Sequence, residues 1–154
     1  MSGETIAVFG TAVTLEASGA SIANGAIGKA DDQTYDITAA SGTGGTSYPD
    51  ADPVVVCAFS VAPTEGGKIG LYAGVQDIDG TSDAEDPEAS RPGIFIGTFT
   101  VNNVTTTQRI PMDGVTAFDL PKIAYYWLKN IDTGQTISSG WKLIFVPRTT
   151  KPAP

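Results

Sequence analysis

The chain has 154 residues, only 17% of them charged, and a formal net charge of −8. That length is one domain, able to bury a core without a metal or a disulfide, and the acidic field disfavours nucleic acid or an anionic membrane as partner. Histidine is absent, which removes Ser-His-Asp and Cys-His catalysis and His-ligated zinc, so neither an enzyme nor a cofactor is expected.

Residues 1–30, rich in Ala, Gly, Ser and Thr, read as an N-terminal arm or a first set of strands. The apolar runs Thr5–Phe9 and Ala12–Glu16 stand out in it. Asn24-Gly25 lies between apolar pairs and signals a hairpin, because it tolerates the positive φ of a type I′ turn. Gln33–Thr38 reads as a short strand and Ala39–Asp52 as a long flexible loop. Met1-Ser2-Gly3-Glu4 carries no basic or apolar leader segment, so no secretory signal is expected.

Pro53–Val61 is the strongest strand, apolar on both faces at its start, as a central strand would be. Cys57 within it is the single cysteine, so it makes no intrachain disulfide and reads as buried and structural. Lys68–Val75 alternates, with Ile69, Leu71, Ala73 and Val75 on one face. Gln76–Pro92 is an acidic loop in which Asp77, Asp79 and Asp83 make a weak calcium candidate. Carboxylates alternate ahead of Gly80, but Thr81 stands where a third ligand belongs. Calcium is the one metal this pattern leaves open.

Gly93–Val101 alternates again, with Phe95, Phe99 and Val101 on one face. Thr105–Met112 reads as a strand, Asp113-Gly114 as a turn and Val115–Leu120 as a short strand. Lys122–Lys129 places Ile123, Tyr125 and Trp127 on one face and Ala124, Tyr126 and Leu128 on the other. Tyr125, Tyr126, Trp127 and Trp141 could stack on sugars, yet alternation requires one of these faces to be core. Gln135–Val146 is a long strand with a bulge or bend at Ser139-Gly140. Residues 148–154 read as a Pro- and Thr-rich tail.

Gly and Pro recur throughout and break every helical period. Short strands separated by turn signals then define an all-β antiparallel β-sandwich over residues 31–147, jelly-roll-like because several connections are long. Its expected core is Val55, Cys57, Phe59, Ile69, Leu71, Phe95, Phe99, Trp127, Leu143 and Phe145.

The stretch Gly10–Ala26 (GTAVTLEASGASIANGA) resembles small virion proteins encoded beside the major capsid protein of tailed phages. Further similar stretches are Tyr48–Asp52, Ala62–Gly66, Asp79–Thr81, Ile96–Phe99, Val101–Thr106 and Ser139–Leu143. The resemblance implies a capsid decoration or cement protein, made in the host cytoplasm and located on the outer surface of the head. The partners it implies are the major capsid protein and further copies of the chain, as a trimer or dimer. Such a protein needs no active site, and an N-terminal arm can donate a strand to a neighbour. The contact candidates are Thr5, Ile6, Val8, Phe9, Val13 and Leu15 from the arm and Tyr48 from the loop. The competing classes are a receptor- or glycan-binding module of a fibre or spike and a head–tail connector component.

Overall fold

The computed structural model describes residues 3–38, 47–75 and 93–154. These hold nine β-strands and no helix: β1 (Thr5–Phe9), β2 (Val13–Gly19), β3 (Ile27–Asp36), β4 (Asp50–Cys57), β5 (Lys68–Val75), β6 (Ile94–Thr100), β7 (Gln108–Pro111), β8 (Ile123–Asn130) and β9 (Trp141–Pro152). Every pairing is antiparallel. One sheet runs β2-β9-β4-β7, with β1 paired to the far end of β9; the other runs β3-β8-β5-β6.

The pairings are nested. β2 meets β9, β3 meets β8, β4 meets β7 and β5 meets β6, while β9–β4 and β8–β5 complete the two sheets. This is a long antiparallel ribbon rolled on itself, the winding of a jelly roll. The fold is therefore the antiparallel β-sandwich that the period-2 patterning predicts. β4 is central, flanked by β9 and β7, which is why Val54 and Val56 on its outer face remain half-buried.

Alternation selects what enters the core. Val55 and Cys57 from β4, Ile69 and Leu71 from β5, Phe99 from β6 and Leu143 and Phe145 from β9 are buried between the sheets, with Phe59 beyond the end of β4. Tyr35, Tyr126 and Phe145 form an aromatic cluster, with the Phe145 ring 4.6 Å from Tyr126 and 5.1 Å from Tyr35. Trp141 adds the largest fully buried side chain, and its Nε1–H donates to the Ala20 carbonyl at 2.6 Å.

Two expected core positions differ. Phe95 is 56% exposed, because the β5–β6 register shifts between Leu71↔Gly97 and Tyr72↔Phe95. The extra residue, Ile96, reverses the alternation, so Phe95 turns outward and packs on Tyr72 with ring centroids 5.4 Å apart. On β8 the face that enters the core is Ala124, Tyr126 and Leu128. Trp127 is buried at 7% exposure but on the opposite face, between Lys29 and Tyr72 of the neighbouring strands.

The ends of the chain are strands as well. Residues 148–152 are not a tail: they continue β9 and pair with β1. Both prolines are tolerated there. Pro147 lies opposite Gly10, between β1 and β2, and Pro152 holds a position whose N–H would point away from β1. Residue 30 lies inside β3, so a boundary there cuts a strand. Asn24-Gly25 does form a turn, Gly25 having φ +83°, but the flanking segments pair with Ile137 and β8 rather than with each other. Val115–Leu120 is not a strand and contributes one bridge, Ala117 to Ala51. Ser139-Gly140 is a turn ahead of β9, with Gly140 at φ +88°.

Candidate interaction surface

β1 stands at the edge of its sheet and is exposed over nearly its whole length. Past Arg148, β9 leaves β4 behind and pairs with β1 alone among the described residues. Thr5–Val8 and Thr149–Pro152 thus form a two-stranded ribbon projecting from the sandwich. Two hydrogen bonds fix its phase: Gly10 N–H to Pro147 C=O at 2.8 Å and Ala153 N–H to Glu4 C=O at 2.7 Å. Ile6 and Val8 consequently point their backbone groups at β9, and Thr5, Ala7 and Phe9 point theirs outward.

At the root of the ribbon lies an apolar and cationic cluster. Phe9 is 54% exposed and Phe118 64%. The Arg148 guanidinium lies between them, 6.0 Å from one ring centroid and 5.9 Å from the other, and Arg148 donates to Thr116 Oγ1 at 3.0 Å. Thr116 in turn donates to Asp52 at 2.6 Å. This chain of contacts holds the Met112–Leu120 loop against β4 and β9, as do the Ala117–Ala51 backbone bonds at 2.8 and 3.0 Å.

That loop is strained. Val115 has φ +68°, in a region costly for a β-branched residue. The Thr116 N–H donates to Gly114 C=O at 2.9 Å, which makes Val115 the centre of a three-residue turn with the φ of the rare classic γ-turn. Val115 is also largely exposed. Asp113 anchors the entrance to the loop: its carboxylate accepts from the Thr98 and Thr100 hydroxyls at 2.6 and 2.9 Å and pairs with Lys68 Nζ at 3.2 Å. Partial burial pushes the Asp113 carboxyl up, but these hydrogen bonds and the Lys68 charge outweigh it and hold the group below the usual carboxylate range.

The acidic cluster on β2 and β3 and the single thiol are absorbed by structure. Glu16, Asp31 and Asp32 bring carboxylate oxygens within 4.8 Å of one another. Yet Glu16 accepts from the Ser18 and Asp31 N–H groups at 2.8 and 3.3 Å, and Asp32 accepts from Ala17 N–H at 2.7 Å, so the cluster ties β2 to β3. Burial pushes the Cys57 thiol up to about 11, which keeps it protonated at neutral pH and a poor nucleophile. The calcium candidates Asp77, Asp79 and Asp83 lie outside the described residues.

The contact residues named from sequence divide into two sets. Thr5, Ile6 and Phe9 are exposed, and Val8 is half-buried on the ribbon. Val13 packs against the core and Leu15 lies within it, because β2 is a full strand of the first sheet, and Tyr48, just ahead of β4, is buried at 5% exposure. These last two are therefore core residues, not contact residues. Sequence reasoning missed Val115, Phe118 and Arg148. The available signal was three large apolar residues, Val115, Phe118 and Leu120, between Gly114 and Pro121 without strand alternation. Comparison with protein-family models, curated proteins and solved structures finds no match to this chain.

Proposed function

We propose that this chain is a non-enzymatic decoration protein that binds the outer surface of an assembled tailed-phage head as a symmetric oligomer and stabilises it. The observation that carries this reading is the Phe9–Arg148–Phe118 cluster, with Val115 beside it. Val115 and Phe118 are held in the open by a strained, firmly anchored loop, and exposed Phe9 of β1 meets half-buried Arg148 of β9 beside them. Aromatic and Arg anchors dominate binding energies at protein interfaces. Strain in a well-determined loop points towards function rather than stability. The sequence resemblance supplies the capsid as partner, and jelly rolls are common in viral capsids, although fold alone does not select a function.

A ligand that binds only the assembled shell stabilises it by mass action, and many copies add avidity. The test mixes purified protein with expanded heads that lack it, then images and heats them. Ordered density in hundreds of copies and a raised disruption temperature are expected. Phe9→Ser with Phe118→Ser should abolish both while the free protein stays folded, since neither side chain is buried. Heads that stay bare, or are heat-stabilised equally by the double variant, would refute the reading.

A second reading has an observation of its own. On the outer face of the second sheet Trp127, Tyr72 and Phe95 follow one another across neighbouring strands, and Lys29 Nζ lies 4.4 Å from the Tyr125 ring. The exposed Phe95 ring and the half-buried Tyr72 ring suit sugar stacking, as in a receptor- or glycan-binding module, with Trp127 buried at the inner end of the row. Glycan-array binding that is lost in Phe95→Ala and Tyr72→Ala would favour it.

A further inference from the structure

We infer that β1 is a self-association edge, pairing antiparallel with β1 of a second copy about a two-fold axis at Ala7. The inference goes beyond capsid binding and concerns the free protein in solution.

The argument starts from the backbone. Thr5, Ala7 and Phe9 turn their N–H and C=O groups away from β9, and no strand among the described residues meets them. Natural edge strands are protected by charge, proline, bulges or a covering segment. β1 has the sequence Thr-Ile-Ala-Val-Phe and carries no charge and no proline; its register with β9 runs without a shift. A two-stranded ribbon is also marginal by itself and gains from a further strand.

The occupant follows from the phase. Antiparallel pairing centred on Ala7 sets Ala7 opposite Ala7 of the second copy and Thr5 opposite Phe9. All of these residues present outward backbone groups, so every outward N–H and C=O on the strand finds a partner. The same register puts Ile6 opposite Val8, a β-branched apolar pair that favours sheet pairing. No like charges face each other along β1. A strand that satisfies itself in one register is what an isologous interface requires.

Electrostatics permits it despite the net charge of −8. Antiparallel pairing sends the two β2 strands off opposite ends of the seam, so the sandwiches lie apart. The five-residue strand spans about 17 Å, beyond the Debye length of about 8 Å at physiological salt. Repulsion between the acidic bodies is therefore largely screened.

The test is sedimentation equilibrium on the full chain, from low micromolar to a few hundred micromolar, with cysteine cross-linking. The wild-type protein should dimerise. Ala7→Pro removes the central outward N–H and leaves the β1–β9 ladder intact, and should weaken dimerisation on the order of a hundredfold or more. Ala7→Cys should form a disulfide-linked dimer under mild oxidation, because opposed residues in a hydrogen-bonded pair have Cα atoms about 5.5 Å apart. Ile6→Cys should not, because its symmetry mate is displaced along the strand beyond the bridging limit of about 7 Å. Cys57 is buried and leaves the background clean. If Ala7→Pro fails to fold, the cross-linking pair still decides. A wild-type protein that remains monomeric with no Ala7→Cys cross-link overturns the inference, as does a dimer that Ala7→Pro leaves intact. Head binding is measured separately, so a protein that is monomeric in free solution yet sits on capsids as a symmetric oligomer held by other contacts would remove this inference and spare the proposed function.

Discussion

Val115 and Asp113 sit two residues apart and act in opposite senses. Val115 occupies φ +68° with its side chain largely exposed, so its conformational cost, about 1–3 kcal/mol, is not offset by burial. Val115→Gly removes that cost and adds about 0.5–1 kcal/mol of unfolded-state entropy. The net expectation is a variant more stable by about 1 kcal/mol in urea unfolding that binds heads less well. Unchanged or reduced stability would show that Val115 is not strained. Asp113 has a folded-state carboxyl held below its unfolded value. Its contribution is therefore fully present above the unfolded value of about 3.9 and is lost as pH falls through the folded one. Asp113→Asn should be less stable than wild type at pH 7, by under about 1 kcal/mol since the Lys68 pair is exposed. The two proteins should converge in acid. A constant difference from pH 7 down to 2 would exclude the carboxylate's charge as the cause.

At the scale of strands, what was legible in the sequence is what one strand encodes alone. β4, β5 and most of β9 were placed because alternation and Pro/Gly boundaries are local. The Phe95 error came from a bulge, which depends on how β6 registers against β5. The sequence reading puts Trp127 of β8 in the core, but both faces carry aromatics, and only packing against Tyr35 and Phe145 selects the Tyr126 face. The end of β9 read as a tail because Pro147 and Pro152 mimic one; the partner that makes it a strand, β1, is at the other end of the chain. The ribbon cluster was half-legible for the same reason, since Phe9, Phe118 and Arg148 share no local pattern. Close approach between strands gives a sharper prediction. A Cβ on Gly19 would lie 2.0 Å from the Trp141 ring, and that ring is fully buried and tied to Ala20. Gly19→Ala should therefore destabilise the protein by about 2–4 kcal/mol, as overpacking and displacement of a core Trp do. Gly25→Ala, where a Cβ meets open space, should cost only the about 1 kcal/mol of a positive φ. Equal urea midpoints for the two variants would contradict this account.

The rolled-up winding gives the molecule two layers of dispensability. In a nested jelly roll the outermost pair, β2–β9, encloses the rest, and β1 lies beyond it. β1 contributes exposed side chains and a ladder to the end of β9, whose backbone groups can turn to water once β1 is gone. β2 brings Leu15 into the core, and its Glu16 caps backbone N–H groups of Ser18 and Asp31. Removing residues through Phe9 should lower stability by about 1 kcal/mol, a midpoint change of about 2–4 °C for a chain of this size. Removing residues through Leu15 deletes a buried Leu, worth about 2–5 kcal/mol, and the first half of β2. Against a total of about 5–15 kcal/mol, that cut should remove a large share of the stability and lower the urea midpoint well beyond the shorter deletion. The useful boundary for separating assembly from folding is therefore between Phe9 and Val13. The shorter deletion should keep the wild-type far-UV circular dichroism spectrum while losing both self-association and most head binding. A protein trimmed through Phe9 that still dimerises and decorates heads as wild type would show that β1 and Phe9 are mere sheet edge, and the assembly surface would have to be sought on the other faces of the sandwich.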